Sequence, residues 1–224
     1  MRPLDVGDAP VADAEIHDRV AHYYTSKVRI YGATPRGVDW RDREGQNRRF
    51  DKLCQALDGL SGRSVVEIGC GYGGFVDFCA GRGLAVDYVG YDISEDMIEA
   101  ARARHAHVPG VRFAVGATPS EPSDVCIASG LFNVRFDYTD EAWWRYVVET
   151  IDVMAEASRQ GFAFNILTAF SDPERMEPRL YYADPGRMLA HCIRRFGRNV
   201  AIFHDYGLYE FTVAVRTGTG GRAS

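Results

Sequence analysis

Apolar and polar positions along the chain repeat with two different periods, and the change of period predicts where helices and strands lie. Phe50, Leu53, Leu57 and Leu60 recur at helical spacing. From Ser64 onward, short apolar runs alternate with longer segments that carry one apolar face. Alternating strands and helices predict an α/β fold, with a mostly parallel sheet covered by helices on both faces.

The predicted elements cover most of the chain. We expect helices at residues 12–27, 44–60, 74–83, 95–107, 140–158 and 185–196. We expect strands at residues 64–68, 86–91, 111–115, 125–128, 162–167, 200–204 and 209–215, the last two forming an antiparallel hairpin. This order divides the chain into an N-terminal helical cap (1–60), an α/β domain (61–216) and a disordered tail (217–224).

Composition limits the partners that we expect. The chain has 224 residues and a net charge of -5, so a broad basic surface for nucleic acid is not predicted. It contains no apolar run long enough to cross a bilayer and no signal-peptide core, so we expect a cytoplasmic protein without a membrane partner. The five cysteines form no C-x-x-C pair, which argues against a disulfide framework or a thiolate zinc site. The sequence leaves a homodimer open.

A glycine-rich turn follows the first predicted strand. Gly69, Gly71 and Gly74 lie between that strand and the next helix, where backbone N–H groups can approach a ligand closely. Asp92 ends the second strand, 25 residues after Glu67, and its carboxylate can accept hydrogen bonds from a ribose diol. The glycines also match the dinucleotide fingerprint, so a nicotinamide-dependent oxidoreductase is an alternative. The acidic Glu67 before the turn and the closing hairpin favour a different nucleotide cofactor.

The stretches Glu67–Gly73 and Gly90–Ile98 closely resemble the two cofactor motifs of the class I S-adenosylmethionine-dependent methyltransferases. The resemblance extends over residues 64–216. It implies a Rossmann-like, seven-stranded sheet with S-adenosylmethionine above the carboxyl ends of the first two strands and S-adenosylhomocysteine as product. It also implies a methyltransferase activity, although the two motifs say little about the acceptor.

The resemblance assigns cofactor roles to particular residues. Glu67, Gly69 and Gly71 would line the amino-acid end of the cofactor, Asp92 would hold the ribose, and Ile93 would pack on the adenine. An acidic residue after the third strand is missing here, so backbone groups near Ala117 would take its place. Two more residues are expected at the cofactor: Arg49, which can pair with its α-carboxylate, and Ser129 at the end of the fourth strand.

Acceptor residues are expected after the later strands, at the same edge of the sheet. Asn133 and Arg135 follow the fourth strand, and Tyr181 and Tyr182 precede a helix. The N-P-P-Y motif of amino methylases is absent, which disfavours base or amide methylation.

The hairpin supplies the predicted catalytic pair. His204 is the predicted general base, with Asp205 beside it, because histidine titrates near neutrality. The acidic residues after the fourth and fifth strands lack the clean pattern of a magnesium site, so no metal is predicted. The tyrosine, asparagine and acidic residues expected at this edge suit hydrogen bonding and stacking against a sugar. They predict a small-molecule acceptor that is polar, and O-methylation of a sugar or glycosylated natural product, with N- or carboxyl-methylation as the alternative.

Overall fold

The computed structural model of the protein describes residues 13–217. Helices α1–α6 span Asp13–Tyr31, Arg43–Ala56, Gly74–Arg82, Glu95–His105, Asp140–Glu156 and Pro185–Phe196. Strands β1–β7 span Ser64–Ile68, Asp87–Asp92, Val111–Val115, Ser123–Ala128, Ser158–Leu167, Val200–Phe203 and Glu210–Arg216. All of the predicted helices and strands are present. Residue 12 of the first predicted helix, and the predicted tail from residue 218, lie outside the described range.

The strands of residues 13–217 form one seven-stranded sheet in the order β3-β2-β1-β4-β5-β7-β6. β1 to β5 pair in parallel, whereas β7 is antiparallel to both β5 and β6. The predicted α/β class, the Rossmann-like sheet and its antiparallel hairpin are therefore confirmed. Because β6 runs in the direction of β5, its carboxyl end lies at the same edge as those of the parallel strands.

Each face of the sheet packs against its own set of helices. Val65 joins an apolar cluster with residues of α2, α3 and α4, whereas its neighbour Val66 joins a cluster with residues of α1, α5 and α6. Successive side chains of a strand point to opposite faces, so one short strand can fill both cores. Because helices cover both faces, a ligand can reach the sheet at the edge formed by the carboxyl ends of its parallel strands.

Backbone conformation explains where two elements differ from their predicted bounds. α2 ends at Ala56, four residues before the predicted end, because Asp58 and Gly59 have φ of +59° and +89° and cannot continue a right-handed helix. β5 begins at Ser158, four residues before its predicted start. It passes through Gly161, where a Cβ would overlap the carbonyl oxygen of Val215 on β7.

Side-chain hydrogen bonds attach α1 to the α/β unit. Thr25 Oγ1 lies 2.8 Å from Ser94 Oγ, and Arg29 Nε donates to Asp96 over 2.6 Å, both at the start of α4. A 3-10 turn at Pro35–Val38, which the sequence did not predict, then leads the chain over the sheet edge to α2. In the part of the chain that the structure describes, no helix is both long enough and apolar enough to cross a bilayer.

Candidate functional site

The turn after β1 adopts a backbone that only glycine tolerates easily. Gly69, Gly71 and Gly73 have φ of +72°, +54° and +79°, a region that costs other residues about 1–2 kcal/mol. The N–H groups of Gly69 and Cys70 both donate to the carbonyl oxygen of Tyr91, over 2.8 and 2.9 Å. The turn is thereby fixed against the end of β2.

Side chains from distant segments lie directly over this turn. A Cβ at Gly69 would stand 2.7 Å from Cδ1 of Leu131, and one at Gly71 would stand 2.7 Å from Cγ1 of Val38. Real Cβ atoms do not approach other atoms so closely. The two glycines therefore allow the loop after β4 and the 3-10 turn after α1 to close over the end of β1.

Asp92 ends β2 with its carboxylate held by two backbone groups. Oδ2 accepts from the N–H of Gly71 and Oδ1 accepts from the N–H of Ser94, each over 2.9 Å. Burial raises the pKa of Asp92 to about 6, although these two hydrogen bonds oppose the shift. Each oxygen keeps a free lone pair, so the carboxylate can accept two further hydrogen bonds from a neighbouring diol.

Asp92 borders a cavity of about 190 Å³ with a mainly apolar wall. Ile93, Leu131 and Val153 supply apolar surface, and the backbone of Gly116 and Ala117 completes the side beyond β3. The N–H of Gly116 donates to the carbonyl oxygen of Asp92 over 2.9 Å, which sets the position of that loop. A flat heteroaromatic ring suits such a wall.

Two further cavities continue from this one along the sheet edge. A small cavity of about 40 Å³ shares Gly69, Asp92 and Leu131 with the first. On its other side the small cavity meets a third cavity of about 590 Å³. The small and the third cavity share four lining residues, Tyr24, Val38, Trp40 and Gly130. We call these four residues the junction, and the third cavity the outer cavity.

The loop after β4 is positioned by a buried amide. Asn165 of β5 is fully buried; its Oδ1 accepts from the N–H of Gly130 over 2.7 Å, and its Nδ2 donates to Ser129 Oγ over 3.2 Å. Because both halves of the amide are used, Ser129 and Gly130 are fixed at the floor of the small cavity. Asn165 thus shapes the site without lining any of the three cavities.

Trp40 and Asp39 are residues of the site that sequence reasoning missed. Trp40 packs on Gly130, and the Arg49 guanidinium carbon lies 3.8 Å from its ring centroid. Asp39 has φ of +60°, pairs with Lys27 over 2.6 Å and accepts a hydrogen bond from Tyr23. The sequence signal that could have identified them is a tryptophan next to an aspartate in a glycine- and proline-rich loop.

Comparison with known proteins assigns the chain to a family. Residues 66–157 match the family model of a methyltransferase domain. A putative methyltransferase of Mycobacterium tuberculosis (strain ATCC 25618 / H37Rv) is 43% identical over 153 residues, which make up 68% of this chain and 92% of that protein. The chain belongs to the class I S-adenosylmethionine-dependent methyltransferases. The resemblance inferred from the two motifs is confirmed, and the protein is a methyltransferase rather than a nicotinamide oxidoreductase.

Solved structures share the fold of this methyltransferase. The magnesium protoporphyrin IX methyltransferase of Synechocystis PCC 6803, solved with S-adenosylhomocysteine, gives a TM-score of 0.64 at 16% identity, over 92% of this chain and 100% of that chain. Phosphoethanolamine N-methyltransferase 1 of Haemonchus contortus gives 0.61 at 16% identity, over 94% of this chain and 51% of that chain. At 16% identity these similarities show a shared fold and nothing about the acceptor.

The residues that line the cleft of this methyltransferase fit S-adenosylmethionine. Asp92 offers paired acceptor oxygens at the edge of an apolar cavity, as a ribose next to an adenine requires. The side-chain-free Gly69 and Gly71 border the small cavity beside it. Gly69, Gly71, Asp92 and Ser129, four of the residues predicted at the cofactor, thus line one continuous cleft, to which Ile93 and Ala117 also belong.

Two other residues predicted at the cofactor, Glu67 and Arg49, do not line this cleft. The Glu67 side chain is buried below the turn and accepts a hydrogen bond from the Tyr88 hydroxyl. Burial raises the pKa of Glu67 to about 8. Arg49 lines the outer cavity and donates to the fully buried Glu210 over 2.9 Å. Their predicted contacts with the cofactor stay predictions.

The four residues predicted to bind the acceptor separate into two groups. Asn133 lines the outer cavity. Arg135 donates to the carbonyl oxygens of Tyr138 and Pro178, Tyr181 is buried in the core, and the Tyr182 hydroxyl accepts from the N–H of Glu177. None of these three side chains lines the three cavities, and their predicted contact with an acceptor stays a prediction.

The predicted catalytic pair lies on the outermost strand. His204 follows β6 at the carboxyl edge of the sheet, where it is exposed, and its ring lies near those of Phe170 and Phe211. Asp205 is also exposed and pairs with Lys52 over 2.9 Å. Neither residue lines the outer cavity. Within residues 13–217, no group of three or more His, Cys, Asp or Glu side chains is placed to hold a metal ion.

Proposed function

We propose that this methyltransferase methylates a hydroxyl group of a small polar metabolite, a sugar or a glycosylated natural product. The outer cavity carries the proposal. It measures about 590 Å³, it begins at the junction, and its wall is rich in arginine, carboxylate and amide groups. Such a wall offers both donors and acceptors to a molecule with many hydroxyl groups.

The cofactor cleft supports specific roles for its residues. S-adenosylmethionine, when bound, supplies a methyl group activated by its positively charged sulfur. We propose that Asp92 accepts both ribose hydroxyls and that Ile93 and Ala117 contact the adenine. Gly69 and Gly71 would allow the amino-acid end to approach the backbone, with Ser129 beside it. The cleft then leaves its outer end open toward the junction.

Asn133 is suited to orient the acceptor. Its side chain is 8% exposed, it lines the outer cavity, and its Oδ1 has no hydrogen-bond partner among residues 13–217. A buried acceptor atom without a partner costs about 1–3 kcal/mol. A hydroxyl of the bound metabolite can remove that cost by donating to Oδ1.

Tyr24 is suited to close the junction around the reacting groups. Its ring lies between the small and the outer cavity, and burial raises the pKa of its hydroxyl well above the ordinary value. The phenol therefore stays protonated and can donate a hydrogen bond. Excluding water and aligning two reactants can contribute about 7–11 kcal/mol.

A hydroxyl group must lose its proton as the new C–O bond forms, and we propose that Asp39 accepts it. Asp39 lines the outer cavity and stands between two junction residues, Val38 and Trp40. Its carboxylate pairs with Lys27 and Arg179, which hold it in place, and also accepts a hydrogen bond from Tyr23. Proton removal by a positioned base contributes roughly 10²–10⁴-fold to a rate. The role of His204 as base stays a prediction, and its exposed position on the edge strand favours Asp39.

Product chemistry tests the acceptor class. The enzyme is incubated with methyl-tritiated S-adenosylmethionine and a panel of glycosides, primary amines and carboxylic acids. We expect label in glycosides, in a form that survives mild alkali as an ether does. Unreacted S-adenosylmethionine, itself a cation, is first removed by chromatography. Label then released as methanol by alkali would identify a methyl ester, and label retained on a cation exchanger would identify an amine. Either of those results would replace the proposal with the corresponding alternative.

A pair of variants tests the base. With a labelled glycoside as acceptor, Asp39→Asn should lower kcat about 10²-fold and make the remaining rate rise with pH. Tyr23→Phe is the matched control, since it removes a partner of Asp39 but keeps the carboxylate. It should retain most of the activity, as should His204→Ala. S-adenosylhomocysteine affinity reports whether each variant keeps its cofactor cleft. Loss of activity in His204→Ala alone would return the role to the histidine.

A further inference from the structure

Three large apolar side chains stand exposed on the loops after β5 and before β7, and both loops also contribute to the wall of the outer cavity. Phe170, Met176 and Tyr209 are 73%, 37% and 39% exposed. We call these three residues the outer rim. Single exposed apolar residues are ordinary on protein surfaces, but a group of them beside a ligand cavity marks a binding surface.

Hydrogen bonds connect the loop segments that carry the three residues of the outer rim. The N–H of Thr168 donates to the carbonyl oxygen of Tyr209 over 3.1 Å, and its Oγ1 accepts from the N–H of Phe170 over 3.3 Å. The Tyr209 hydroxyl donates to Asp172, which begins the short turn that ends at Met176. The rim is therefore built by the loop after β5 and the end of the hairpin loop.

The outer rim is continuous with the cavity. Tyr209 belongs to both, and the neighbours of Met176 on each side, Arg175 and Glu177, line the cavity wall. Leu167 and Leu208 add apolar wall on the same side. A ligand that enters the polar cavity can thus extend over apolar surface without leaving the protein.

We infer that the acceptor is an amphipathic molecule, with a hydroxylated head in the outer cavity and a hydrocarbon chain along the outer rim. This inference rests on the proposed function and narrows its substrate class. A purely polar sugar leaves the rim exposed to water, whereas a glycoside with an alkyl chain covers it. The chain would contribute affinity in proportion to its length, because the apolar area removed from water grows with each methylene.

Chain length is the variable that tests this inference. Methyl, n-hexyl and n-octyl β-D-glucopyranoside, each below its critical micelle concentration, are titrated calorimetrically into the protein saturated with S-adenosylhomocysteine. Full burial of one methylene corresponds to about fourfold in affinity. On a rim open to water on one side we expect about twofold per methylene, so octyl should bind roughly fourfold tighter than hexyl.

Substitutions localise the effect. The double variant Phe170→Ser, Met176→Ser should bind hexyl and octyl glucoside with the same affinity. Ile30→Ser is the matched control, because Ile30 is 69% exposed at the end of α1 and does not line the outer cavity. It should retain the chain-length effect, which excludes general adsorption of alkyl chains.

Three results would overturn the inference. The first is equal affinity of the unaltered protein for hexyl and octyl glucoside. The second is a chain-length effect that survives the double substitution. The third is binding to phosphatidylcholine vesicles without binding of monomeric octyl glucoside. The last result would assign the outer rim to a membrane surface. Failure of S-adenosylhomocysteine to bind would instead contradict the proposed function. Cofactor binding and glycoside methylation without a chain-length effect would contradict only the present inference.

Discussion

Trp40 packs its ring against the backbone of Gly130, so that a Cβ at Gly130 would lie 2.6 Å from Cη2 of Trp40 and closer still to Cζ2. The tryptophan comes from the loop before α2 and the glycine from the loop after β4, which Asn165 holds in place. This contact forms part of the boundary that the cofactor cleft shares with the outer cavity. The absence of a side chain at one position therefore decides where another segment can lie.

Gly130→Ala should open that boundary. The new Cβ cannot fit beside Trp40, and alanine at φ of +72° adds strain of about 1–2 kcal/mol. We expect a lower melting temperature together with a fall in kcat/KM. Gly59→Ala is the matched control, since Gly59 has φ of +89° but open space at its Cβ. It should lower the melting temperature with little change in kcat/KM. Equal kinetic effects in both variants would show that the Trp40 contact does not matter to catalysis.

Removal of Arg49 should destabilise the protein through Glu210. The Glu210 side chain is fully buried, and burial raises its pKa while Arg49 opposes the shift. Arg49→Met leaves that carboxylate without its partner, so we expect a loss of about 3–5 kcal/mol in the free energy of unfolding near pH 8. The loss should shrink at acid pH, where Glu210 can take up a proton. Urea denaturation measures both values.

Two further variants complete the Arg49 experiment. Arg48→Met removes the exposed pair with Glu44 and should cost less than about 1 kcal/mol. The double variant Arg49→Met, Glu210→Gln should recover most of the stability. If S-adenosylhomocysteine then binds normally, Arg49 has a structural role. Weak binding by this stable double variant would support the predicted pairing of Arg49 with the cofactor carboxylate.

Cofactor affinity should depend on pH through Asp92. Burial raises the pKa of Asp92 to about 6, and only its ionised form leaves both oxygens free to accept hydrogen bonds from a diol. Affinity for S-adenosylhomocysteine should therefore be constant above pH 7 and fall as the pH drops through about 6. Calorimetry between pH 5 and 8 measures this. Asp92→Asn should bind roughly ten- to hundredfold more weakly and lose the pH dependence. If Asp92→Asn kept the pH dependence of S-adenosylhomocysteine affinity, the titrating group would be a residue other than Asp92.

Glu67→Gln should stabilise the protein at alkaline pH. The pKa of Glu67 is about 8 in the folded state because the side chain is buried, against about 4.3 in an unfolded chain. Its contribution to stability is thus fully present below the unfolded pKa and is lost as the pH rises through about 8. We expect the variant to exceed the unaltered protein by on the order of 4 kcal/mol at pH 9 and to match it near pH 4.

Glu156→Gln serves as the comparison for Glu67, because Glu156 is an exposed glutamate near the end of α5. It should leave the free energy of unfolding unchanged across the same pH range. Cofactor titration of Glu67→Gln adds a second result. Unchanged S-adenosylhomocysteine affinity would assign Glu67 to the support of the turn, whereas a large loss would support the predicted contact with the cofactor.

The sequence alone determined the fold and the cofactor end of the site. Strand, glycine turn, helix and second strand are consecutive, so Gly69, Gly71 and Asp92 are brought together by local geometry and by the pairing of β1 with β2. Such features depend on backbone conformation and on short sequence separations, which the residue pattern reports directly. The same pattern predicted the hairpin that ends the sheet.

The tertiary structure alone decided the wall of the outer cavity, where we propose that the acceptor binds. Arg49 and Glu210 are 161 residues apart in sequence, and Trp40 meets Gly130 across 90 residues. No periodicity encodes which buried carboxylate takes an arginine, nor which loop closes on a glycine, because these choices depend on the packing of several elements at once. His204 illustrates the limit. Its position at the carboxyl edge followed from strand direction, but only the strand order shows that β6 is the outermost strand.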